Sequence, residues 1–162
     1  MSSTRAQFLF PMLIAGALLG LAACGPSGTS AVTPTPDAAS DVRAAMEQYN
    51  QCLSLMNADC MAAFFAPQGQ IFQTGIIQAA GPAAVRNYLK QTFSTARIDS
   101  LTATVDSIII NGDVAVALGT YDEKATEAAH PSAETNVRYV AEWIRPSAGP
   151  WLLNRMSTTP LQ

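Results

Sequence analysis

Few residues in this chain are equipped for chemistry: three cysteines, one histidine, four tyrosines and scattered carboxylates and carboxamides. Cys24 follows the small residues Ala22 and Ala23 at the close of an apolar run, an open setting for modification of its thiol. Cys52 and Cys60 flank Asn57-Ala58-Asp59. In an oxidising compartment they can form a disulfide, provided their Cα atoms come within about 7 Å, and otherwise they read as two small buried hydrophobes. Their spacing fits no metal-ligand pattern, and His130 lies far away in a polar stretch before Pro131, so no metal is expected. No nucleophile elbow, phosphate loop or His-rich motif occurs. Tyr49 falls on a helical apolar stripe, where it either turns its hydroxyl into an interior pocket or packs as core; core is the favoured reading. Tyr139 and Trp143 share a strand face and are candidates to line a pocket, although aromatics on a sheet usually pack. Asn154 sits among Leu152, Leu153 and Met156 and needs a partner if buried, with a structural hydrogen bond favoured over a catalytic role. Arg138 and Arg155 are placed to pair with Glu142 or Asp122 on an outer face. No two residues stand together as an acid and a base.

The segment before Cys24 explains that cysteine. It carries one charge, Arg5, and then 16 apolar residues from Phe8 to Ala23, interrupted near the start by Pro11. A helix needs roughly 20 residues to cross a bilayer core, so residues 1–23 read as a signal peptide rather than a permanent span. Leu21-Ala22-Ala23-Cys24 resembles the bacterial lipobox at every position. That resemblance implies a diacylglycerol on the Cys24 thiol, cleavage before it, and an exported protein anchored by lipid in the bacterial cell envelope. Gly25, where Asp would imply retention at the inner membrane, implies the outer membrane, with the domain facing the periplasm.

Without residues 1–23 the chain has 139 residues and a formal charge of −4, enough for one domain. It has no basic run, and a net-negative surface repels phosphate backbones, so nucleic-acid binding is excluded as a function class. Membrane residence then depends on acyl chains, which contribute about 0.8 kcal/mol per buried methylene.

Residues 24–39 hold the modified cysteine and a stretch rich in Pro, Gly, Ser, Thr and Ala, which reads as a flexible tether. The folded domain is expected over 40–162. Val42, Ala45, Met46, Tyr49, Leu53 and Met56 recur at helical spacing, with Ser40 as the expected N-cap. Asp59 is placed to cap a short second helix from Cys60 to Ala66, ended by Pro67-Gln68-Gly69. Short extended segments follow at Gln70–Thr74 and Ile76–Ala79, with a third helix from Pro82 to about Phe93. Strands are expected from Leu101 to Ile110, from Val114 to Gly119 and onward, from Val137 to Ile144, and from Trp151 to Ser157. Asn111-Gly112 marks a hairpin, and Glu127 to Thr135 reads as a polar connection. Val114 to Gly119 is apolar or small on both faces, which implies cover on both sides.

Helices first and a run of antiparallel strands after them give an α+β class. In detail the chain resembles the cone-shaped nuclear transport factor 2-like (NTF2-like) family, and especially its SnoaL-like bacterial branch. The residues that carry the resemblance are Asn57-Ala58-Asp59, Phe64-Phe65-Ala66-Pro67, Ala80-Gly81-Pro82-Ala83-Ala84-Val85, Gly112-Asp113-Val114-Ala115 and Val140-Ala141-Glu142-Trp143-Ile144-Arg145 before Trp151. It implies a strongly curved antiparallel sheet wrapped around about three helices, with a conical apolar pocket. In the steroid-isomerase members an Asp base works with a Tyr and a neutral Asp. The base position falls on Gln73 here, a carboxamide that binds no proton near neutral pH, which makes Gln73 a pocket candidate without basic function. The second acid position falls on Ala141, with Glu142 one residue away and so on the opposite sheet face. The expected function is therefore noncatalytic binding of a small apolar ligand or a protein partner, without a cofactor. A homodimer through the outer sheet face is expected. The alternative is a small-molecule lyase or isomerase using Tyr49, Glu142 and Asn154, and a third class is an envelope assembly subunit with a filled cone.

Overall fold

A computed structural model describes residues 37–127 and 130–161. The signal-peptide reading, Cys24 and all but the last residues of the tether lie outside the described residues. Helix α1 (Ala38–Ser54) buries Val42, Met46 and Tyr49 of the expected stripe, together with Cys52; Ala45 and Leu53 are half-buried, and Met56 lies past the helix end. Its N-cap is Asp37, whose carboxylate accepts from the Ala39 amide at 3.2 Å, so the helix starts ahead of Ser40. Helix α2 (Ala58–Ala62) is capped by Asn57, which accepts from the Cys60 amide at 3.0 Å. Asp59, the expected cap, lies inside α2 and instead pairs with Arg86 at 2.7 Å and Lys90 at 3.1 Å.

The second helix stops at Ala62 because the chain is then drawn into the sheet. Strand β1 (Phe65–Gln73) includes the Pro67-Gln68-Gly69 stretch that reads as a loop in sequence. The Leu153 amide donates to the Phe64 carbonyl at 2.7 Å, and the register shifts between Phe65 and Gln70. Pro67, which has no amide to offer a ladder, sits in that irregular interval. Strand β2 (Ile76–Ala80) returns through Thr74 and Gly75, both at positive φ, as a two-residue hairpin turn requires. Helix α3 (Pro82–Thr95) opens on proline.

Three long strands follow: β3 (Ala96–Asn111), β4 (Val114–Glu127) and β5 (His130–Ile144). Gly112, at φ 58°, leads the tight turn between β3 and β4. The polar connection expected over 127–135 is mostly strand: Glu123 pairs with Thr135, Lys124 with Glu134 and Ala125 with Ala133. Backbone ladders need no apolar face, so polar sequence extends the ribbon beyond the core. Strand β6 (Leu152–Pro160) closes the order β2-β1-β6-β5-β4-β3. The sheet is mixed rather than wholly antiparallel, because β6 returns beside β1 in the same direction after the long β3–β5 excursion.

One sheet face holds Ala115, Ala117, Tyr121, Tyr139, Ala141, Trp143, Leu153 and Met156, all buried against the helices. On the other face Val116, Leu118 and Ile144 are half-buried, while Val114 and Val140 are exposed. The cover expected on both sides of β4 is thus absent within one chain. No helix among the described residues is long and apolar enough to cross a membrane.

Candidate functional site

The inner face is organised by one transverse row. Gln73 of β1 pairs with Thr158 of β6, Thr158 with Tyr139 of β5, and Tyr139 with Gly119 of β4. Tyr139 lies across Gly119 and donates its hydroxyl to the Thr104 carbonyl of β3 at 2.7 Å. Tyr121 stacks on Tyr139 with ring centroids 4.7 Å apart and donates to Asn50 Oδ1 of α1 at 3.1 Å. Tyr49 meets Phe64 and Phe65 edge-on at 5.9 and 6.3 Å, and Phe64 meets Trp143 at 6.4 Å. These rings fill the cone between helix and sheet.

Burial makes the phenols poor acids. It pushes the Tyr49 and Tyr121 hydroxyls well above the ordinary phenol range. Burial, reinforced by the negative charge of Asp106 and opposed by Arg43, pushes Tyr139 up to about 12. All three are hydroxyls that stay protonated, and no charged side chain is buried beside them among the described residues.

The sequence candidates separate accordingly. Tyr49, Tyr139 and Trp143 are core walls at 3 %, 0 % and 0 % exposure, not the lining of an open pocket. Gln73 is exposed at the rim of the inner face and accepts from the Tyr88 hydroxyl of α3 at 3.2 Å. Asn154 is not in the interior. The register shifts between Glu142 and Trp143, where Glu142 pairs with Arg155 and Trp143 with Leu153, so Asn154 is an extra residue in a bulge. That bulge hands its amide to Glu142 Oε1 on the outer face. Ala141 is buried on the inner face and Glu142 lies opposite, as two-residue periodicity requires. Arg155 stacks over Phe72 at 5.1 Å, and Asp122 accepts from Asn136 at 2.7 Å, so the anticipated arginine–carboxylate pairs do not form among the described residues. Cys52 and Cys60 meet as a disulfide with Cα atoms 5.7 Å apart.

Among the described residues, clefts of about 350–440 Å³ open beside Ala44 and Trp151, beside Asp122 and Glu134, beside Asn57 and Lys90, and beside Asn50 and Leu101, and Tyr49, Gln73, Tyr139, Trp143 and Asn154 line none of these. One carboxylate escaped the sequence reading. Glu123 is two residues from Tyr121 on the same face of β4, and partial burial raises its carboxyl above the ordinary range. Counting strand parity onward from Tyr121 is the signal that finds it.

A cone of three helices inside a curved, six-stranded mixed sheet defines an NTF2-like domain. The SnoaL-like domain family matches residues 46–145, and the chain belongs to that family. No curated protein matches it. Among solved structures, a ketosteroid isomerase-like protein from Erwinia carotovora atroseptica is similar at 14 % identity, covering 79 % of this chain and 99 % of that one with a TM-score of 0.72. An NTF2-like protein from Cytophaga hutchinsonii is similar at 12 % identity, covering 74 % and 95 % with a TM-score of 0.62. A putative calcium/calmodulin-dependent protein kinase II association domain from Xanthomonas campestris shares 20 % identity over 75 % and 86 % with a TM-score of 0.56. Likeness at these identities is likeness of fold.

Proposed function

We propose that this is an exported, lipid-anchored envelope protein whose SnoaL-like domain is noncatalytic and works by association, pairing its outer sheet face with a second copy. The filled cone carries the reading. Tyr49, Phe64, Phe65, Tyr121, Tyr139 and Trp143 pack ring against ring between helix and sheet, where a substrate would have to sit. The base position holds a carboxamide and the second acid position an alanine. The lyase or isomerase alternative loses two of its three residues, since Glu142 and Asn154 bond each other on the outer face.

Association has its own support. Across the outer face Ile109 opposes Val116, Leu118 opposes Val140, and Val114 opposes Ile144, which makes the apolar residues contiguous. Ile109 is 61 % exposed, and folded monomers seldom leave such patches uncovered. The name of the Xanthomonas relative, an association domain, agrees in kind. Export and anchoring rest on Arg5, the apolar run and Leu21-Ala22-Ala23-Cys24, with the domain on the periplasmic side of the outer membrane.

Light scattering on soluble protein starting at Gly25 is expected to give twice the monomer mass at roughly 50 μM, and Val140→Arg to give the monomer with unchanged circular dichroism. A wild-type monomer at that concentration refutes the dimer. Cys24→Ala is expected to abolish acyl labelling of the full chain, and equal labelling refutes the anchor.

A further inference from the structure

Along β5, Tyr139 and Ala141 are buried on the inner face, so residues 138, 140 and 142 stand on the outer one. That outward triplet is Arg138, Val140 and Glu142, a positive and a negative charge on either side of one apolar centre. Val140 is 38 % exposed and lies directly opposite Leu118 of β4. About 6.8 Å of strand separates it from each charge, at about 3.4 Å per residue.

Both charges are available to a partner. Arg138 is exposed and has no carboxylate within ion-pair distance among the described residues. Glu142 accepts the Asn154 amide on Oε1, which holds its carboxylate on the outer face and leaves Oε2 to accept from elsewhere. Other charges on this face are committed within the chain. Arg155 stacks over Phe72, Lys124 lies 3.8 Å from Glu134, and Asp122 accepts from Asn136.

Symmetry then selects one arrangement. Two copies of a single face close on each other about a two-fold axis lying in the interface, and packed sheets keep their strand directions within about 30°. An axis running along β5 sets Arg138 on Arg138 and Glu142 on Glu142. An axis across the strands through the Glu142 row sets Glu142 on Glu142 and its neighbour Arg155 on Arg155. One through the Arg138 row sets Arg138 on Arg138. Each of these brings like charges together, which disfavours it. An axis across the strands through Val140 instead sets Val140 on Val140, Leu118 on Leu118 and each Arg138 on a Glu142. Packed sheets stand about 10 Å apart, a gap that an arginine and a glutamate reach across from opposite sides.

We infer that two copies of this chain meet with their β5 strands antiparallel and Val140 on the two-fold axis, each Arg138 pairing with Glu142 of the other copy. The inference rests on the association reading, and its test separates the two.

Differently tagged copies of the full lipidated chain are captured on one another in mild detergent, with circular dichroism of every variant. Wild type is expected to capture wild type. Arg138→Glu opposes carboxylates at both symmetric pairs, and its self-capture is expected to fall at least about tenfold, as is that of Glu142→Arg. Mixed together, these two variants regain opposite charges at both pairs and are expected to capture each other, recovering most of the loss. Glu142→Gln keeps an oxygen for the Asn154 amide and serves where Glu142→Arg disturbs the strand. It is expected to capture Arg138→Glu better than Arg138→Glu captures itself. Undiminished self-capture of Arg138→Glu, or no gain in either mixed pair, overturns this register, while wild-type self-capture leaves the dimer standing. Absence of wild-type self-capture overturns the dimer and the register with it.

Discussion

Tyr139 lies flat over Gly119, its direct partner on β4, and reaches past it to the Thr104 carbonyl of β3. A Cβ at position 119 would collide with that carbonyl and with the Tyr139 ring and hydroxyl. The glycine is therefore the space in which the tyrosine sits. One side chain ties together three strands, and Tyr121, stacked on it, extends the tie to Asn50 of α1.

Gly119→Ala is expected to destabilise the domain by about 1–3 kcal/mol, the range for overpacking a well-filled core. Tyr139→Phe keeps the ring and removes the hydrogen bond, with an expected loss of about 1 kcal/mol. Urea unfolding followed by circular dichroism measures both. A Gly119→Ala midpoint equal to wild type would show that Tyr139 has room to move.

The Cys52–Cys60 bridge closes a short loop at the α1–α2 corner. A closed loop of this length is expected to contribute about 2–3 kcal/mol by restricting the unfolded chain. Non-reducing peptide mapping of exported protein should find the two peptides linked, and reduction should lower the unfolding temperature. Two free thiols in the exported protein would refute the bridge.

Glu123 ties the filled cone to pH. Its carboxyl is raised in the folded state by desolvation, so the folded protein holds a proton that the unfolded chain releases at lower pH. Stability from this group is therefore greatest below the unfolded carboxyl value and falls as pH rises through the folded one. Glu123→Gln removes the penalty. It is expected to be more stable than wild type at pH 7 and indistinguishable from it under acid conditions, as read by thermal unfolding across pH. A variant less stable than wild type at pH 7 contradicts this.

Steroid-type double-bond isomerisation is expected to be absent. A carboxylate base and each oxyanion donor contribute about 10²-fold or more, and their loss here costs at least about 5 kcal/mol of barrier. Gln73→Asp alone is not expected to restore activity, because Tyr139 and Trp143 still fill the interior and Ala141 donates nothing. Turnover of a β,γ-unsaturated ketone above background by the wild-type protein, lost in Glu142→Gln, would place a catalyst on the sheet and replace the association reading.

Much of this protein was legible in its residue order. Helical spacing places Val42, Met46 and Tyr49 on the buried side of α1, while it passes over Cys52 and runs on to Met56 beyond the helix, and two-residue parity puts Ala141 inside and Glu142 outside. The resemblance places Gln73 and Ala141 at the acid–base positions, which argues against the isomerase chemistry. These are local properties, because side-chain direction in a regular element follows from its period. The remainder depended on partners distant in sequence. The bulge that turns Asn154 outward exists only because β6 must match β5 across Glu142 and Trp143. Pro67 and Gly69 became strand because β6 arrived beside them, and Glu127 to Thr135 extended the ribbon through cross-strand pairing. Whether the cone was open or filled was likewise a tertiary decision, because volume is set by how rings from α1, β1, β4 and β5 meet. No window of sequence contains all four.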